Sequence, residues 1–314
     1  MVALIAILAR HRLTVSRFWG TWVLLELSTL RFVAYLSRDY LVKRQVDVLM
    51  FLLIQAFRGM TIFWSLLSLG AGASIGLEVW LAGVLLLKIG AMPLHGWFIS
   101  LRTKIRWESL YLFLTVQKVI PLYLLRGYYT SFLRTVILLT WALAGIGRLK
   151  TKGVKKLFVY SSLFFMGLLL GVLFRRHLWL KLLLAYALIG FPVFVHSKTG
   201  ANKYGGERWN QEKSRFKYVI WFVFLNMGGV PPLPGFFLKI RFLNFFRLSL
   251  ATLLGFVVGS ALLIYMYLSL SFLSLVGRGS KEELAEGKLS LLPVLRFQLW
   301  GVFFLMVLFM GVTT

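Results

Sequence analysis

Four residues carry charge where charge is expensive. Glu26 lies inside TWVLLELSTL, Lys88 inside VLLLKIG, Lys118 inside LTVQKVIP and Lys239 inside PGFFLKI. An ionised side chain at the centre of a bilayer costs roughly 2.5–3.5 kcal/mol on insertion scales, so such groups face protein or water and have a task. The chemistry open to them is the holding and passing of protons. A buried carboxylate without a partner takes up a proton, whereas one facing an ammonium stays charged, which makes Glu26 and Lys88 natural partners. A buried amine can lose and regain its proton, which suits the three lysines to a relay. His95 is a candidate intermediate carrier, because imidazole titrates near neutral pH. A purely structural ion pair and a hydrogen-bonded structural histidine are the competing readings. Of the other basic residues in apolar runs, Lys181 can snorkel from a helix start and Arg241 can sit at a cavity edge. Arg58 has no evident partner in the sequence.

Two of the lysines flank a break that the chain carries twice. Residues 89–98 read IGAMPLHGWF and residues 228–237 read GGVPPLPGFF, so that Gly90 matches Gly229, Pro93 matches Pro232 and Gly96 matches Gly235. Pro231 adds a second proline to the later copy. Lys88 stands just before the first break and Lys239 just after the second. Proline and glycine interrupt the helical hydrogen-bond ladder, and within a membrane the freed groups survive only where protein or a hydrated cavity satisfies them. Paired broken segments in matching positions of two halves point to an ion or substrate path. Two kinked helices in a plain bundle are the simpler alternative.

The elements that position these residues follow from hydropathy. The 314 residues are 59% hydrophobic and 15% charged, a balance that predicts an all-α polytopic membrane protein. About eleven transmembrane helices can be marked: a short one at residues 1–9, then 18–36, 46–69, 77–101, 109–125, 131–146, 154–174, 178–195, 218–246, 250–276 and 291–312. Residues 1–9 are already membrane-like, with no small-residue cleavage site behind them. The breaks fall in the fourth and ninth helices. An odd offset turns the second copy upside down, which predicts two inverted five-helix repeats, each with a broken helix. The chain is then a single transmembrane domain, 1–314, with a first repeat at 1–126, a second at 127–276, and a basic loop and C-terminal helix at 277–314.

Absence of cysteine excludes disulfides, thiolate metal sites and iron–sulfur ligation by this chain. No GxGxxG after a strand, P-loop, HExxH or Ser–His–Asp set is present. The net charge of +26 would suggest nucleic acid in a soluble protein, but loop placement accounts for it without any. Twenty Lys and Arg fall on the loops at 37–45, 102–106, 148–156, 197–217 and 277–288, against eight on the opposite face. That bias puts the N-terminus on the cytoplasmic or matrix side and the C-terminus opposite.

Six stretches carry a resemblance: TWVLLEL around Glu26, FLLIQA at 51–56, LKIGAMPLHGWF from Leu87, LTVQKVIP around Lys118, KKLFVYSSLFFMG from Lys155 and GGVPPLPGFFLK ending at Lys239. In that order, over about three quarters of the chain, the sequence resembles the chain-2 family of NADH–ubiquinone oxidoreductase, the antiporter-like membrane subunits of mitochondrial respiratory complex I. The eleven-helix count is similar to that of the shortened animal-type version, which lacks three N-terminal helices of the bacterial form. The resemblance implies an antiporter-like fold and a multi-pass location in the mitochondrial inner membrane. It makes Glu26 the partner of the broken-helix Lys88, Lys118 the central-axis lysine and Lys239 the lysine near the outlet, together forming a hydrated proton axis. It implies no cofactor on this chain, with NADH, FMN, iron–sulfur clusters and ubiquinone on partner subunits. The implied partners are other membrane-arm subunits, antiporter-like neighbours and accessory subunits among them, with cardiolipin a candidate for the basic loops. Two departures stand out. Ile99, Ser100 and Leu101 replace the family's Pro-Glu-Val after the first break, and Phe165 stands where a histidine is common, leaving water to cover more of the gap between Lys118 and Lys239. A cation/proton antiporter subunit of the same fold, and a structural subunit that no longer pumps, are the rival expectations.

Overall fold

A computed structural model of the chain describes residues 15–39, 45–70, 75–91, 105, 107–128, 132–149, 154–175, 178–200, 222–231, 233–245 and 250–276. Among them the regular structure is helical throughout. The elements are α1 (Val15–Asp39), α2 (Gln45–Gly70), α3 (Ile75–Ile89), α4 (Trp107–Thr115), a 3₁₀ turn (Val116–Lys118), α5 (Val119–Leu125), α6 (Phe132–Leu149), α7 (Val154–Val172), α8 (Leu178–Gly200), α9 (222–228), α10 (Pro234–Phe245) and α11 (Leu250–Val276). The expected second to tenth spans all contain described helix; the first and the last lie outside the described residues. By length and composition alone, Val48–Leu69, Trp107–Leu125 and Leu250–Ser269 are long and apolar enough to cross a membrane, and α6, α7 and α8 contribute shorter apolar stretches.

The helices sort their faces in a way a soluble bundle does not. On α2, Phe51, Gln55 and Ile62 are buried, while Leu53, Phe57, Met60 and Trp64 are exposed at helical spacing. On α1, Leu25, Thr29, Phe32 and Leu36 point inward and Trp19, Val23, Leu27 and Leu30 point out. An outward face this apolar, opposite an inward face that keeps amides and hydroxyls, is what lipid demands, because lipid offers no hydrogen bonds.

The chain divides into two compact units, one of residues 1–104 and 112–136, the other of residues 105–111 and 137–314. In the first, α1 packs on α2, α2 on α3, and α5 on both α3 and α1. Phe32, Phe51 and Phe113 hold its centre, with ring centroids 5.1–5.9 Å apart. The run through α4 and α5 tightens to 3₁₀ geometry just ahead of Pro121. That proline has no N–H to give the carbonyl of Gln117, so the regular ladder fails there. Lys118 closes the irregular turn.

In the second unit α7 is the central helix, buried at almost every position from Leu157 to Leu170. It packs against α8 and α10. Trp141, fully buried, meets Phe164, Phe242 and Phe256 with centroids 5.6–6.1 Å away. Phe224 stacks on Tyr267 at 5.0 Å and Phe165 on Tyr186 at 4.2 Å.

Candidate functional site

Both breaks end their helices in the same way. Gly90 and Gly229 adopt left-handed backbone, with φ of 81° and 77°. Gly90 N–H reaches the carbonyls of Leu86 and Leu87, and Ala91 N–H reaches Leu86 at 2.9 Å. Gly229 N–H reaches the carbonyls of Leu225 and Asn226, and Val230 N–H reaches Leu225 at 3.3 Å. This is a glycine-terminated helix end of Schellman type, which glycine adopts without the Cβ clash that other residues meet. Pro231 follows in the second copy; His95, Pro93 and Pro232 lie outside the described residues.

In the first unit the break delivers Lys88 to the protein interior. Its Nζ donates to Glu26 Oε1 at 2.8 Å, from α3 to α1. The Thr29 hydroxyl, one turn along α1, donates to the backbone carbonyl of Glu26 at 2.7 Å and to its Oε2 at 3.3 Å. The carboxylate rests on bare backbone of α2: a Cβ on Gly59 would overlap Glu26 Oε1 and stand 2.7 Å from its Cδ. Trp22 pins the same spot, donating its indole N–H to Gly59 O at 2.8 Å. Arg58, the neighbour of Gly59, lies within electrostatic range of the Lys88 ammonium, which gives this residue the surroundings that its sequence context did not supply.

Lys118, only 1% exposed, belongs to the same site. It lines a cavity of about 10 Å³ together with Lys88, Gln55, Gln117, Ser28 and Thr29. Gln117 donates to Ser28 O at 2.9 Å, tying the 3₁₀ turn to α1. The structure therefore brings Glu26, Lys88 and Lys118 together within one unit.

In the second unit Lys239 is held differently. Its ammonium folds back from α10 to the carbonyl of Gly228, at the end of α9 that the break exposes. The Phe164 ring lies 5.9 Å from it. Across the break, Gly235 N–H donates to Asn226 Oδ1 at 2.7 Å, and a Cβ on Gly235 would overlap Asn226 O. Asn226 thus supplies the acceptor that the missing turn of helix removes. A cavity of about 30 Å³ borders Lys239, with Ser161, Phe165, Tyr186 and Met227 among its walls.

Counting only ionisable residues misses Gln55, Gln117, Asn226 and Gly59. The signal available for the first three is an amide inside an apolar run, in FLLIQAF, LTVQKVIP and VFLNMGG. Gly59 gives no such signal, since its use depends on a side chain from another helix.

Comparison with known proteins bears on this arrangement. Residues 48–264 match the family described as NADH:quinone oxidoreductase/Mrp antiporter, transmembrane. Curated relatives include NADH-ubiquinone oxidoreductase chain 2 of Artemia franciscana, 28% identical over 83% of this chain and 85% of the relative. That of Anopheles gambiae is 27% identical over 71% of this chain and 70% of the relative. Among solved structures, respiratory complex I from Thermus thermophilus superposes with a TM-score of 0.67 at 20% identity, over 90% of this chain and 72% of that one. An archaeal membrane-bound sulfane sulfur reductase superposes with a TM-score of 0.64 at 16% identity, over 79% of this chain; the chain spans 62% of that neighbour's length. At such identities the structural likeness establishes the fold. By the match of more than half its length, the chain belongs to the family of NADH:quinone oxidoreductase and Mrp antiporter transmembrane subunits.

Proposed function

We propose that the chain is a proton-translocating membrane subunit of an NADH:ubiquinone oxidoreductase, seated in the mitochondrial inner membrane beside other membrane-arm subunits. The observation that carries this reading is the ion pair between buried Lys88 and partly buried Glu26, whose lysine lines the same cavity as Lys118. Replacing such a pair by apolar residues is often neutral or stabilising, so charges kept within an apolar helix bundle point to a task rather than to stability. The elementary step is a transfer between amines. An N–H bond of the Lys88 ammonium breaks, one forms on a neutral Lys118, and Glu26 is left facing a neutral amine. The charge moved is one proton, and against a membrane potential it costs about 2.3 kcal/mol per 100 mV if it crosses the full field. Electron transfer from NADH through FMN and iron–sulfur clusters to ubiquinone belongs to partner subunits and supplies that energy. Lys239 is the counterpart near the outlet of the second half, and the inverted relation of the two repeats would give the path its two openings. The N-terminus faces the matrix and the C-terminus the intermembrane space, as the loop charges favour. Basic loops would meet accessory subunits or cardiolipin.

The family spans a second class, the cation/proton antiporters. Curated relatives named as NADH-ubiquinone oxidoreductase chain 2 favour the first. Purification separates them, since a complex I particle contains flavin and iron–sulfur proteins and oxidises NADH, and an antiporter particle does not. Within complex I, Glu26→Gln and Lys88→Ala should each lower protons pumped per NADH while NADH oxidation by the assembled enzyme persists. Unchanged pumping in both variants would leave a structural subunit and remove the relay.

A further inference from the structure

The α2 carboxamide of Gln55 is an amide with an unmet need. The residue is 3% exposed, and its Oε1 accepts no hydrogen bond from any described residue. It faces the cavity shared with Lys88 and Lys118. Leaving an acceptor buried and unpaired is costly, and native proteins do so rarely. The neighbouring hydroxyls are already committed, Ser28 Oγ to Leu25 O at 2.8 Å and Thr29 Oγ1 to Glu26, and Gln117 Nε2 spends one of its two N–H groups on Ser28 O. The two ammonium groups carry three protons each, and Lys88 directs one of its three at Glu26. The cavity, about 10 Å³, has room for one water, and its walls supply the two or more polar partners a buried water requires.

We propose that Gln55 holds one ordered water in this cavity, and that the water is the carrier between Lys88 and Lys118. The water donates one O–H to Gln55 Oε1, which fixes its orientation, and accepts from an ammonium N–H. In the transfer, a Lys88 N–H bond breaks as a water O–H forms. The other free O–H of the water breaks as an N–H forms on neutral Lys118. Atoms and charge balance with no further reactant, and Gln55 neither gains nor loses a proton. It is a positioning residue. The carrier role rests on the relay proposed above; the water site itself does not.

Two measurements on the assembled complex test this. A density map that resolves waters should show a peak within hydrogen-bonding distance of Gln55 Oε1 in this cavity. An empty cavity, or Oε1 paired directly with a protein donor, overturns the site. In proteoliposomes, Gln55→Leu keeps the side-chain bulk and removes the acceptor. It should slow NADH-driven pumping about tenfold, the factor that about 1.4 kcal/mol of lost positioning gives. Gln55→Glu keeps oxygen acceptors in place and should pump within about twofold of the parent. The idea fails if Gln55→Leu pumps like the parent, or if Leu and Glu are lowered alike. Should Glu26→Gln and Lys88→Ala impair pumping while Gln55→Leu does not, the water carrier falls and the relay stands. Should all three pump normally, the relay itself has fallen.

Discussion

Gly59→Ala asks how tightly the Glu26 carboxylate is seated. The methyl group would overlap Oε1 and stand 2.7 Å from Cδ, whereas ordinary contact begins near 3.4 Å. The carboxylate must therefore retreat by roughly 1.3 Å, the difference between that contact distance and the overlap of the methyl with Oε1. Moving directly away from Lys88, it would stretch the 2.8 Å pair to about 4.1 Å, beyond hydrogen-bond geometry. At an effective dielectric of about 20 the Coulomb attraction drops from about 5.9 to about 4.0 kcal/mol. The lost charge-assisted hydrogen bond adds about 1.5–3 kcal/mol, for a total near 3–5 kcal/mol. If α2 moves instead, the Trp22–Gly59 bond of 2.8 Å opens, and overpacking of this kind costs about 1–3 kcal/mol. The first route should lower NADH-driven proton pumping in proteoliposomes by more than about tenfold and the second by about fivefold or more, with NADH oxidation by the assembled complex retained under uncoupled conditions. Gly20→Ala on α1 and Gly83→Ala on α3 are the controls, because a Cβ at either position meets nothing within 4 Å. Both should pump normally. If Gly59→Ala pumps as they do, and a density map keeps the ion pair at its parent distance, the seat is looser than this geometry requires and the reasoning is refuted.

Two further outcomes concern the second break. Asn226→Leu removes the acceptor of the buried Gly235 N–H and should destabilise the chain by about 1–3 kcal/mol. It should be read as a lower thermal unfolding midpoint of the complex, with Asn226→Asp recovering most of the loss. Gly229→Ala forces a Cβ into left-handed backbone, which costs about 1–2 kcal/mol, and sets it 2.9 Å from Lys239 Cδ. Gly90→Ala carries the same backbone cost at φ 81°. The two should unfold at similarly lowered temperatures, and in a density map Gly229→Ala alone should displace the Lys239 ammonium from the Gly228 carbonyl.

Charges and breaks are legible in the sequence because each violates a strong rule. A lysine in VLLLKIG is costly in lipid, and Gly-Pro-Gly spacing in an apolar run stops a helix wherever it occurs. Hence Gly90 and Gly229 can be matched by eye, and their helix ends share one hydrogen-bond pattern. Contacts that shape the site obey no such local rule. Glu26 and Lys88 are 62 residues apart, Trp22 and Gly59 are 37, and Gln117 and Ser28 are 89. An uncharged amide or a helical glycine raises little alarm in a hydropathy profile. What Gln55, Gln117 and Gly59 do is decided by which helix arrives opposite them, and that is a property of the folded bundle.

The two lysines beside the breaks are read alike from sequence, yet their partners differ in charge. Lys88 meets a full carboxylate, and Lys239 meets a neutral carbonyl whose partial charge the helix end exposes. Loss of a proton from Lys88 would leave the Glu26 carboxylate, 20% exposed, without this counter-ion, and an anion so far removed from water needs a cation. Arg58 precedes Gly59 on α2, where the carboxylate rests, and lies within electrostatic range of Lys88. Under the relay proposed above, Arg58 would keep positive charge on that side of the site while Lys88 is neutral.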